Sequence, residues 1–85
     1  MTFHSNKELY AAVRSLVKKL EDMGASDLAS DLRDALGAST LAGEVLGQIR
    51  LVFRQIRGHE AYQRLDVRST VEQGLAELDK ALGPP

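Results

Sequence analysis

Cysteine is absent from this chain. That removes disulfide staples, thiolate nucleophiles and cysteine-based zinc sites together, and it fits a cytoplasmic setting. Proline is confined to Pro84 and Pro85, so nothing breaks a helix from within. Tryptophan is missing, and the aromatics are Phe3, Tyr10, Phe53 and Tyr62 alone. A chain so poor in proline and aromatics reads as all-helical. Neither sign of charge dominates. The formal net charge is −1, which gives no global field favouring nucleic acid or an anionic membrane. No apolar run approaches the roughly 20 residues that a membrane-spanning helix needs. Met1-Thr2-Phe3-His4 does not open like a signal peptide.

What is present is ordinary for a folded domain: 44% hydrophobic and 27% charged residues, a balance that argues against disorder. Eighty-five residues make a single domain, 1–85, which is marginal unless well packed or oligomeric.

Apolar residues recur at helical spacing in four segments. Ser5-x-x-Glu8 has the form of a capping box, and Leu9, Val13, Leu16, Val17, Leu20 and Met23 follow on one face. With Gly24 as the stop, helix 1 is expected over about 6–23. Ser26 is the next N-cap candidate, and helix 2, about 27–36, runs to Gly37 with Asp27, Asp31 and Asp34 on its wet side. Ser39 or Thr40 starts helix 3, about 40–57, ended by Gly58. Residues 59–65 form a short helical turn or an ordered loop carrying Tyr62 and Leu65 inward. Asp66 or Ser69 caps helix 4, about 67–82, whose stripe is Val67, Val71, Leu75, Leu78 and Leu82. Connections this short imply mostly antiparallel neighbours in a four-helix bundle with a short fifth helix at 59–65. Its expected core includes Leu16, Leu20, Leu32, Leu46, Ile49, Phe53, Val71, Leu75 and Leu78.

Helix 3 is the informative segment. Leu41, Ala42, Val45, Leu46, Ile49, Val52, Phe53 and Ile56 fill one side. Gly43, Gly47, Arg50, Arg54 and Arg57 fill the other, with Leu51 beside the glycines. A glycine within a helix costs about 1 kcal/mol relative to alanine, so two of them imply that something packs against their backbone. Two readings stand: helix 3 is covered on both sides by its own chain, or the glycine face is a dimer seam or partner groove. The arginines read as a solvated ridge paired with the acidic helix 2 or with Glu72 and Glu77. The alternative is contact with an anionic or acidic partner.

Other chemistry finds little to stand on. Leu36-Gly37-Ala38-Ser39 is similar to the turn of a helix-turn-helix DNA reader. However, Arg33 stands where a small residue belongs and Gly43 where an apolar anchor belongs. His4 and His59 have no metal-ligand spacing, and His59 is placed to cap the last carbonyls of helix 3. The aspartates match no calcium loop. There is no phosphate loop and no nucleophile elbow, and a domain this small has little room for a pocket of about 300 Å³. No cofactor, metal or small-molecule substrate is indicated.

Ser39-Thr40-Leu41-Ala42-Gly43-Glu44-Val45-Leu46, after a short helix ended by Gly37, resembles a run in small uncharacterised bacterial all-helical proteins. In those, Ser-Thr precedes a glycine, an acidic residue and a branched apolar residue. That resemblance covers about twenty residues and brings no activity with it. In length and helix number the chain is also similar to the colicin-type immunity proteins, which implies a toxin-binding role. Their tyrosine-rich third-helix motif has no counterpart here, where only Tyr10 and Tyr62 occur. The expectation is a non-catalytic module for protein–protein interaction, of immunity, antitoxin or adaptor type. A self-associating homodimer is the alternative and a DNA-binding regulator the distant one. The candidate surface is Gly43, Gly47, Arg50, Leu51, Arg54 and Arg57.

Overall fold

The computed structural model describes residues 6–83. These are helical throughout apart from short connections, with no strand among them. The elements are α1 (Asn6–Asp22), α2 (Ser26–Leu36), α3 (Ala42–Arg57), a single 3-10 turn (Glu60–Gln63) and α4 (Leu65–Leu82). Each helix packs on the next in the chain, and α1 also touches α4, so the helices surround one core. At 18 residues α4 is the longest helix among the described residues.

The turn between α1 and α2 explains a shifted boundary. Gly24 adopts φ +82°, Ala25 N–H donates to Leu20 O at 2.8 Å, and Gly24 N–H donates to Glu21 O at 3.1 Å. This paired pattern is a Schellman motif, and it closes α1 at Asp22. Ala25 is buried by it and becomes the N-cap of α2 as well, which pushes Ser26 inside the helix instead of at its cap. Met23 lies in the turn, outside α1. The Ser5 half of the expected capping box lies outside the described residues.

Helix 3 begins at Ala42, two residues later than expected. Ser39 Oγ accepts from Leu41 N–H at 3.0 Å, which forms a turn before the helix rather than a cap on it. Leu41 is the extended N-cap residue. Its carbonyl accepts from Glu44 and Val45, and its side chain is 61% exposed. Leu41 and Ala42 therefore do not belong to the buried stripe. Helix 4 begins earlier than expected, at Leu65, which is 76% exposed rather than turned inward. Leu65 lies two residues, about 200°, from Val67, so burying the Val67 stripe turns Leu65 to solvent. Asp66 sits in the first turn, not at the cap, where its carboxylate favours the helix dipole and its Oδ1 accepts from Val67 N–H at 3.0 Å.

The nine expected core residues are all buried. A close seam between α3 and α4 is made by a glycine the hydropathy pattern does not mark. Gly74 is buried against the ring of Phe53, which is itself fully buried. A Cβ on Gly74 would overlap Cε2 of that ring, with Cδ2 at 3.1 Å and Cζ at 3.3 Å. Only glycine lets the ring lie this close to the α4 backbone.

Candidate interaction face

The outer face of α3 carries all six candidate residues, and their environments divide them. A Cβ built on Gly43 or on Gly47 meets nothing within 4 Å. No helix of this chain covers that side, so the reading in which α3 is sheathed on both sides is corrected. Leu51, one turn beyond Gly47, is 51% exposed. Gly43 lies in the first turn, where a glycine costs little, whereas Gly47 is interior and bears the full penalty.

The arginines are held along the α4 edge of this face. Arg57 donates through Nε and Nη2 to both oxygens of Glu72, at 2.7 and 2.6 Å. Arg50 donates to Asp79 Oδ1 at 3.2 Å and to the Gly83 carbonyl at 2.8 Å, which satisfies the C-terminal end of α4. The two rungs lie seven residues back along α3 and seven forward along α4, so these helices run antiparallel. Arg54 reaches only the same Asp79 oxygen, at 3.9 Å. Two guanidinium groups thus share one carboxylate, and Arg54 is the less neutralised. Of the acceptors expected from sequence, Glu72 is used and Glu77 is not, since it pairs with Lys80. The acidic helix 2 is not used either, because it flanks the opposite edge of α3. Asp79 and the Gly83 carbonyl were not foreseen. The signal for Asp79 was its spacing from Glu72, two turns along one face of α4.

Tyr62 joins the Arg57–Glu72 rung from the 3-10 turn. Its hydroxyl donates to Glu72 Oε2 at 2.7 Å, and the Arg68 guanidinium lies 5.2 Å over its ring. The Arg57 hydrogen bonds hold the Glu72 carboxyl below the usual carboxylate range, with burial opposing and the Tyr62 hydroxyl assisting. The same contacts raise Arg57, and the hydrogen bond to Glu72 with partial burial raises Tyr62. His59 does not cap α3 with its ring. Its Nδ1 accepts from Ala61 N–H at 3.0 Å, capping the 3-10 turn, because the extended backbone at His59 aims the imidazole forward.

Two shallow depressions flank Leu51, of about 430 and 330 Å³. The first lies among Gly47, Glu44, Arg50 and Arg54. The second lies against α2, with Asp31, Asp34 and Gln55, and the two share Ala38 and Gln48. Space of ligand size therefore exists, contrary to the expectation from chain length, but as open surface relief. None of the shifted groups (Arg57, Tyr62, Asp66 and Glu72) lines either depression. Among the described residues no three His, Asp or Glu side chains converge as metal ligands, and no helix is long and apolar enough to cross a membrane. No protein-family model matches the chain, and comparison with curated proteins and with solved structures finds no similar protein.

Proposed function

We propose that this chain is a cytoplasmic, non-catalytic protein-binding module, a four-helix bundle that engages its partner through the outer face of α3. The observation that carries this reading is the bareness of that face. Gly47 forgoes about 1 kcal/mol of helix stability, and no neighbour within the fold makes use of its missing side chain. A half-exposed leucine stands beside it, and arginines line one edge. A helix backbone open to close approach, with an apolar ridge and fixed guanidinium groups, suits recognition by shape with charge supplying orientation. An immunity, antitoxin or adaptor role is of this kind. Self-association through the same face is the second reading, favoured by the unlike charges on its two edges. DNA binding is a more distant one: Glu44 lies on the exposed face, and the net charge of −1 supplies no basic field.

A photo-crosslinking residue at position 51, compared with one at the exposed Lys18 on α1, tests the reading in the source cells. A discrete protein adduct at 51 and none at 18 is the expected result. No adduct at 51, or equal adducts at both positions, would refute it.

A further inference from the structure

We infer that the occupant of the α3 face is a second copy of this chain, docked about a two-fold axis parallel to α3, so that the two α3 helices run in the same direction. This rests on the reading of that face as a protein-binding surface. The charges flanking Leu51 carry the inference. On its α2 side stand Asp31 and Asp34, and neither has an ion-pair partner among the described residues. On its α4 side stand Arg50 and Arg54, with the single carboxylate of Asp79 between them. The face is thus acidic along one edge and under-neutralised basic along the other, with an exposed leucine in the middle.

Two kinds of two-fold axis bring this face onto a copy of itself. An axis lying across α3 makes the helices antiparallel and sets each edge against the same edge of the partner. The unpaired aspartates would then confront aspartates. An axis along α3 exchanges the edges. Asp31 and Asp34 of each copy then meet the Arg54 edge of the other, twice per dimer, and Leu51 packs near the dyad. The levels agree, because the acidic depression reaches Gln55, one residue beyond Arg54. Glu44, about 9 Å lower along the helix than Arg50 and on the line of Leu51, meets Glu44 of the other copy near the dyad, one like-charge contact set against the four aspartates that the antiparallel axis would gather along one edge. Like charges set opposite one another exclude the antiparallel arrangement more firmly than exposed ion pairs reward the parallel one.

Sedimentation equilibrium of the purified full chain tests the inference, with far-ultraviolet circular dichroism confirming that each variant is folded. The wild type is expected to be a reversible dimer. Leu51→Asp, at an exposed position, should be monomeric with unchanged helicity. Asp31→Asn combined with Asp34→Asn should weaken the dimer about threefold to tenfold, as expected for losing weak ion pairs on both sides of the axis. A dimer strengthened by that double substitution would overturn the parallel arrangement. A dimer indifferent to Leu51→Asp would place the contact elsewhere and overturn the inference. A wild type that stays monomeric, while position 51 cross-links a different protein in cells, would overturn the second copy yet leave the binding face standing. Monomer with no adduct would overturn both.

Discussion

Alanine at Gly74 and alanine at Gly47 should move stability in opposite directions. Both glycines lie inside helices, so each substitution brings the same gain of about 1 kcal/mol in helix propensity. Their surroundings differ. At Gly47 the new methyl meets nothing within 4 Å, so the gain is kept. For a domain of this size that raises the melting temperature by about 4–8 °C. At Gly74 the methyl falls inside the edge of the Phe53 ring, which is fully buried and has no open side to move into. Overpacking of a tight core costs about 1–3 kcal/mol. A deep overlap lies at the upper end, which leaves a net loss of about 1–2 kcal/mol after the propensity gain. The two variants should therefore differ by about 2–3 kcal/mol in urea unfolding of the dilute monomer. If Gly74→Ala proved as stable as Gly47→Ala, the close seam between α3 and α4 would be wrongly described.

Other consequences are simpler. Phe53→Ala should cost about 3–5 kcal/mol and Ile49→Ala about 2–5. If both left the melting temperature unchanged, the assignment of the inner face of α3 would fail. Glu72→Gln should destabilise at neutral pH and lose that effect in acid. The Glu72 carboxyl is held below its ordinary 4.5, so the stability it contributes is present above that value and is lost as pH falls through the depressed one. A gap between wild type and Glu72→Gln that did not narrow in acid would contradict the Arg57–Glu72 rung. Leu51→Ala should leave the stability of the dilute monomer within about 0.5 kcal/mol, because Leu51 is 51% exposed and lies outside the buried core.

Much of this fold was legible in the residues, for reasons that also explain the misses. The stripes of α1, α2 and the inner face of α3 are long and regular, so period alone located Leu16, Leu32, Ile49 and Phe53. Gly24 supplied a stop that hydropathy could not. Helix starts were less legible because several small polar residues compete for each cap. Ser26 lost that competition to a buried Ala25, and Ser39 turned the chain two residues before α3. Gly74 escaped notice because a glycine adds nothing to an apolar stripe. Its role follows only once α3 and α4 are laid side by side. The arginine ridge was visible as a ridge. Choosing its acceptors required knowing that α4, and not α2, lies along that edge.

The function proposed for this chain requires that the bare glycine face of α3 be used. The direct measurement is the adduct formed at position 51 in cells by a chain carrying Gly43→Leu and Gly47→Leu, set beside its thermal melt. Open space at both positions lets the variant fold with undiminished stability, while the added side chains hold a partner away. The expected result is an undiminished melting temperature and loss of the adduct. An adduct that persists at full yield in the folded variant would show that the glycines serve no close contact, and would contradict the central claim.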